Sequence, residues 1–262
     1  MLIRVARIEL PEHDLVGIRA DNPGPFTLSG TNSWVVGRDP AWLVDPGPAI
    51  SSHLEAVASE IDDRGGLGGI VLTHDHGDHV DGVPALRRRF AGAPFAAGRG
   101  ASEIRLADGE TCGPFEALAI PGHAPDHFAL MAGDVAFTGD AVLGEGSVFI
   151  APDPGALAGY LDGLERLRRR NPAVLCPGHG DPVYDAQAKL SEYISHRLER
   201  ERRLLGALET GKRSVDDLLD DAWSDVPAQL RGAAAVTLAA HLDKLGDEGR
   251  LPSDVERPRL GA

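Results

Sequence analysis

The sequence predicts an α/β protein, and three observations carry that expectation. Short apolar runs that stop abruptly at Gly, Pro, Asp or His recur through roughly the first 185 residues. Stretches with helical periodicity lie between some of them. Beyond about residue 186 the pattern becomes mainly helical. Strands and helices mixed in this way build layered α/β structures rather than all-β ones.

The runs "NSWVVG", "AWLVDPG", "GGIVLTH", "EALAIPGH", "DVAFTGD" and "AVLCPGH" read as buried strands closed by sharp turns. Two helices are expected among them, at "HVDGVPALRRRF" and "PGALAGYLDGLERLRRRN". Each ends in an arginine triplet, Arg87 to Arg89 and Arg168 to Arg170, where cations oppose the negative end of a helix. The stretch "RGGLGG" at 64–69 lacks the Lys-Ser/Thr of a phosphate loop and is expected to be a plain loop.

We divide the chain at residue 186, into a large α/β unit over 1–186 and a small helical unit over 187–262. In the second, Leu190, Ile194, Leu198, Leu205 and Leu208 form one helical stripe. Ser214 then caps a helix with acids in its first turn, and a third helix runs from Pro227 towards Gly249. "RLPSD" after it is expected to be a short strand or wing, which makes the unit winged-helix-like.

Composition narrows the partners. There are 26 Lys and Arg against 40 Asp and Glu, a formal charge of −14. A protein that holds long nucleic acid by its phosphates usually shows a basic surface instead. The last long helix offers Lys244 and little else that reads bases, so no DNA partner is expected. Arg197, Arg200, Arg202, Arg203, Lys212 and Arg213 keep RNA as an alternative, weakened by the interleaved Glu199, Glu201 and Glu209. Cys112 and Cys176 are expected to be buried reduced thiols, and Cys176 no nucleophile. The N-terminus lacks the apolar core and cleavage site of a leader, and no stretch approaches the ~18 apolar residues of a membrane span. A cytoplasmic protein with no membrane partner is the expectation; the oligomeric state is not legible.

The densest chemistry lies in "LTHDHGDHVDG", residues 72–82. After an extended segment, His74 and His76 point the same way, and Asp78 and His79 need a turn to join them. Two ligand pairs with different aims suit two metal ions. Imidazole and carboxylate without thiolate suit zinc first, with manganese or iron as alternatives. His123, Asp140 and His179 follow other buried runs, at the strand ends where α/β sheets collect binding groups.

With these residues in place, the chain resembles the metallo-β-lactamase-fold hydrolases. The His-x-His-x-Asp-His motif, the "PGH" of His123, the "TGD" of Asp140 and the "PGHG" of His179 come in that family's order over roughly the first 185 residues. The resemblance implies an αββα sandwich with the site at one edge of its two sheets. It implies one zinc on His74, His76 and His123, a second on Asp78, His79 and His179, and Asp140 bridging them. We expect Asp78 and Asp140 to be the catalytic carboxylates. An aspartate at the place of Asp45 commonly braces the metal loop in this fold; the competing reading is that it only closes an Asp-Pro-Gly turn. His127 is a candidate for positioning substrate or the His123 loop, against plain packing. Asp75 is expected to face solvent or a backbone amide. His13, His53, His196 and His241 are expected to be ordinary surface or helix residues.

Departures within the superfamily refine this. True lactamases of the fold typically lack a histidine at His79, and many carry Cys where Asp140 stands, which disfavours antibiotic hydrolysis. Di-iron oxygen reductases have Glu in place of His76. A single-iron dioxygenase branch keeps the motif, so iron stays open. The tail resembles the winged helix of lactamase-beta-2-like hydrolases, which include a single-strand endoribonuclease and polyketide thioesterases. The expected function is therefore hydrolysis of a small-molecule ester or thioester by metal-activated water. A metal-dependent endoribonuclease is one alternative. A glyoxalase II-like hydroxyacylglutathione hydrolase ranks lower, because that enzyme has a different C-terminal helical domain.

Overall fold

The computed structural model describes residues 6–259. A seven-stranded sheet runs in simple chain order: β1 (Ala6–Leu10), β2 (Leu15–Arg19), β3 (Asn32–Val36), β4 (Ala41–Val44), β5 (Leu67–Val71), β6 (Phe95–Ala97) and β7 (Ile104–Arg105). The second sheet holds β8 (Thr111–Cys112), β9 (Phe115–Ala119), β10 (Phe128–Ala132), β11 (Val135–Gly139) and β12 (Val174–Pro177). Its edge order is β12-β11-β10-β9-β8. The pairs β4–β5, β5–β6 and β11–β12 are parallel, so their C-terminal ends converge on one edge of the sandwich.

Strand alternation sorts the side chains into layers. In β3, Trp34 and Val36 point between the sheets, with Val44, Val71, Phe115, Leu130, Phe137 and Cys176. Val35 points the other way, to a core shared with α1 (Ser51–Asp63) and α3 (Val83–Arg89). Leu118, Ile120, Ala129, Met131 and Leu175 do the same on the far side, against α4 (Ala156–Arg169) and the start of α5 (Ala186–Glu209). The result is an αββα sandwich. Each fully buried Leu, Val or Phe contributes roughly 1.5–3 kcal/mol of transfer free energy to these layers.

The expected helix after the histidine motif is two helices, a single turn α2 (Gly77–Val80) and then α3. The arginines of α3 pair with neighbouring segments, Arg87 with Glu103 and Arg89 with Asp62 of α1. "RGGLGG" is only half a loop: Leu67 to Gly69 open β5, because Gly68 and Gly69 leave the room that the Trp42 indole occupies.

α5 belongs to two cores. Leu190, Tyr193 and Ile194 pack on α4. Leu204, Ala207 and Leu208 pack on α6 (Val215–Ala222) and α7 (Arg231–Asp247). The expected stripe is corrected in the middle: Leu198 is 50% exposed, and Leu204 rather than Leu205 is fully buried. Arg197, Arg200 and Glu201 occupy the buried face instead. Ser214 does cap α6, accepting from the Asp217 amide at 3.2 Å. After Gly249 no strand is formed among the described residues, so the expected wing is an irregular segment. Among the described residues no helix is long and apolar enough to cross a membrane.

Candidate metal centre

The strand ends deliver all seven candidate ligands to one place. His74 and His76 follow β5, Asp78 and His79 lie in α2, and His123, Asp140 and His179 follow β9, β11 and β12. The side chains form two groups able to hold a cation: His74, His76, His123 and Asp140, and Asp78, His79 and His179. In the first, Nδ1 of His76 lies 3.0 Å from Nε2 of His74 and 2.9 Å from Nε2 of His123. In the second, Nε2 of His179 lies 3.3 Å from Oδ2 of Asp78, and Nε2 of His79 lies 3.6 Å from the same oxygen. Asp140 faces both: Oδ1 is 3.4 Å from His79 and 3.3 Å from His179, while Oδ2 is 3.5 Å from His123.

These residues fit metal ions. Ligands at 2.0–2.1 Å around a tetrahedral zinc stand about 3.3 Å apart; the spacings here are 2.9 and 3.0 Å in the first group and 3.3 and 3.6 Å in the second. Nε2 of His79 and Oδ1 of Asp140 are buried with no hydrogen-bond partner among the described residues. Hydrogen bonds on the outer nitrogens aim the free lone pairs inward. Asp45 accepts from the Thr73 hydroxyl at 2.7 Å and from Nδ1 of His79 at 2.9 Å. The Thr73 oxygen is then left to accept from Nδ1 of His74, at 3.0 Å. Nδ1 of His179 donates to the Gly30 carbonyl at 3.3 Å. Each of these three imidazoles thereby presents Nε2 to the centre, the role such outer partners play at metal sites.

Protonation follows the same division. Burial pushes His123 down to about 4 and, with the neighbouring imidazoles, holds His74 well below the usual range, so both stay neutral donors. Burial also opposes charge on His179 and His79, but the carboxylates win. Asp140 and Asp78 raise His179 to about 9, and Asp140 and Asp45 raise His79. Burial works against ionised Asp78 and Asp140, yet His179 and His79 hold Asp78 at about 2 and Asp140 low. This half of the site calls for positive charge.

Asp45 is fully buried and braces Thr73 and His79, beyond closing a turn. His127 is buried, stacks on His74 with ring centroids 4.8 Å apart and accepts the Asp140 amide at 3.0 Å. Asp75 is exposed. Cys112 and Cys176 are free and buried, and burial raises both thiols. His53 and His241 are helix residues, as one half of the expectation has it, but both are fully buried rather than at the surface. His196 lines the cavity described below. Sequence reasoning missed Thr31, which donates to Asp78 at 2.9 Å, and Asn32, which donates to the Pro177 and Gly180 carbonyls and ties down the His179 turn. Small polar residues before a buried strand carry no signal that separates them from an ordinary turn.

The centre opens on a cavity of about 770 Å³. Phe26 and Leu28 form one wall, Leu143, Val148 and Phe149 another, and Trp223, Val226 and Leu230 a third. The second of these is hung from α5 and α7. Tyr193 accepts from the Leu143 amide at 3.1 Å and donates to the Gly146 carbonyl at 3.0 Å. Thr237 accepts from the Ile150 amide at 3.3 Å.

Comparison with known proteins agrees with this geometry. A family model described as the metallo-beta-lactamase superfamily matches residues 26–101 and 94–179, and one described as the beta-lactamase associated winged helix domain matches residues 214–255. A beta-lactamase-like protein 2 homolog of Caenorhabditis elegans is 31% identical, over 95% of this chain and 89% of that protein. An atrochrysone carboxyl ACP thioesterase of Aspergillus chevalieri is 35% identical, over 76% of this chain and 67% of that protein. A beta-lactamase domain protein from Burkholderia ambifaria shares the fold with a TM-score of 0.76 at 19% identity, over 93% of this chain and 88% of that one. The chain belongs to the metallo-beta-lactamase superfamily and carries the winged helix domain associated with it.

Proposed function

We propose that the protein is a dinuclear zinc hydrolase that cleaves the thioester, or a related ester, of a small acyl compound. The observation that carries this is the juxtaposition of two ligand groups, spanned by Asp140, with a largely apolar cavity. His74, His76 and His123 would hold one ion, Asp78, His79 and His179 the other, with Asp140 between them. Bound there, such ions would supply Lewis acidity, lowering the pKa of a bound water and polarising an acyl carbonyl.

The chain's own groups do the rest. Asp78 and Asp140 stay ionised at neutral pH and accept hydrogen bonds from the attacking water. Asp45 and Thr73 keep the imidazole lone pairs aimed. The cavity walls hold the acyl group and exclude bulk water. The water oxygen bonds to the acyl carbon, the carbon–sulfur bond breaks, and the thiol leaves with one of the water's protons.

Thioester is favoured because several relatives of similar sequence are named atrochrysone carboxyl ACP thioesterases. The winged helix match favours that group over a hydroxyacylglutathione hydrolase. An RNA substrate is less favoured, because the cations of the C-terminal unit are engaged. Arg202 and Arg203 pair with Glu199, Lys212 with Asp221, Arg213 with Asp254, and Lys244 with Glu201 and Glu248. The test is zinc-loaded protein assayed side by side on acyl thioesters and single-stranded RNA. Thioester turnover that disappears in Asp78→Ala supports the reading; RNA cleavage that disappears in the same variant, without thioester turnover, overturns it.

A further inference from the structure

The cavity has a second polar feature, far from the metal ligands in sequence. Arg197 of α5 lines it and is only 2% exposed. A buried guanidinium is expensive unless a carboxylate neutralises it, and among the described residues Arg197 has no carboxylate partner within 4 Å. Its surroundings are the Val148 carbonyl, which accepts from Nη2, and the Tyr160 ring, whose centroid lies 5.8 Å from the guanidinium carbon. Its Nε is buried and has no partner among the described residues. Arg200, one turn on, differs: Asp225 holds it through two hydrogen bonds, of 2.5 and 2.7 Å. Other carboxylates on the cavity wall, Glu145 and Glu192, are exposed at the rim, and Glu192 pairs with Lys189.

Arg197 also stands in a definite relation to the metal centre. It grips Val148, and the next residue, Phe149, packs its ring on His123 at 4.8 Å between centroids. Arg197, Phe149 and the candidate ligands His76, His123 and Asp140 thus line one cavity.

We propose that Arg197 is the anchor of an anion subsite that receives a carboxylate at the far end of the acyl group, so that the preferred substrates are carboxyacyl thioesters. This rests on the thioesterase reading above. Depth selects the acyl end over the leaving thiol: a phosphate on a bulky carrier must stay near the mouth, whereas Arg197 is almost wholly enclosed. A substrate carboxylate accepts a charge-assisted hydrogen bond from the part of the guanidinium that Val148 leaves free, and the substrate supplies the counter-charge that the fold withholds.

The test compares glutaryl with hexanoyl thioesters of N-acetylcysteamine, which carries no phosphate, and with the coenzyme A thioesters. Wild type is expected to favour glutaryl by about tenfold or more in kcat/KM on both carriers. Arg197→Gln should lower the glutaryl value at least tenfold more than the hexanoyl value, and Arg197→Lys should retain part of the preference. A preference that follows coenzyme A rather than the carboxylate overturns the assignment in favour of phosphate. Equal loss on both acyl groups with a lowered melting temperature reduces Arg197 to a strap for the 143–150 segment. Calorimetric binding of glutarate against butyrate, in wild type and Arg197→Gln, reads the subsite without turnover. Absence of thioester hydrolysis with intact glutarate selectivity defeats the catalytic reading alone, and hydrolysis with no carboxylate selectivity defeats this inference alone.

Discussion

Oδ2 of Asp45 accepts a hydrogen bond from Nδ1 of His79 at 2.9 Å, with both side chains buried. The bond fixes the imidazole tautomer, so that the unpartnered Nε2 faces Asp78 and Asp140. Removing such a partner usually weakens metal binding by about 10–100-fold. Asp45→Asn is expected to fall in that range at the ion held by His79, measured by competition with a chromophoric chelator. Unchanged affinity would reduce Asp45 to a turn residue.

Gly178 tests how tightly the second ligand group is built. A methyl group on it would lie 2.6 Å from Cε1 of His79 and 2.7 Å from Oδ1 of Asp140. Gly178→Ala should therefore lose one metal ion and most activity. Gly206→Ala is the control: it sits inside α5 with nothing within 4 Å, and should leave metal binding intact while raising stability by about 0.5–1 kcal/mol.

Tyr193 links the C-terminal unit to the cavity. Tyr193→Phe strands the Leu143 amide and frees the Gly146 carbonyl. The expected cost is about 1–3 kcal/mol by chemical denaturation, with a several-fold rise in KM and undiminished zinc content. An unchanged KM would mean that this segment does not touch substrate.

Acid should weaken the fold through His53. Burial lowers its pKa from the ordinary 6.5 to about 4, although its Nε2 also meets the Pro46 carbonyl at 3.2 Å. Its folded pKa is depressed, so the unfolded chain binds the extra proton between those values. Stability is thus full above pH 6.5 and is lost as pH falls towards 4. Between pH 7 and 5, wild type should lose about 2 kcal/mol more than His53→Gln. Urea unfolding at the two values checks this; equal losses would place the acid sensitivity elsewhere.

The strands that end in the candidate ligands were legible because each is a short apolar run stopped by a turn residue, and the spacing of His74, His76, Asp78 and His79 is rarely met otherwise. β1 and β2 left weaker marks, since Arg7, Glu9 and Gly17 blur the pattern, and β10 is apolar throughout and shows no alternation. His53 and His241 looked like ordinary surface or helix histidines; tertiary packing buries them on their helices. Arg197 looked like one cation in a charged helix. Its burial depends on the 143–150 segment folding back over α5, a contact of high sequence separation that no local pattern encodes. The cavity walls are invisible for the same reason, because Phe26, Phe149 and Trp223 come from three distant parts of the chain.

The central claim is a pair of metal ions on seven side chains that together activate water. The most direct measurement is zinc per chain, by native mass spectrometry, followed alongside thioester hydrolysis as metal is returned to chelator-treated protein. Two ions should bind, activity should rise with the second, and His123→Ala and Asp140→Ala should each lose metal and activity while keeping their circular dichroism. Full hydrolysis by metal-free protein, or full zinc content in both variants, would contradict the account.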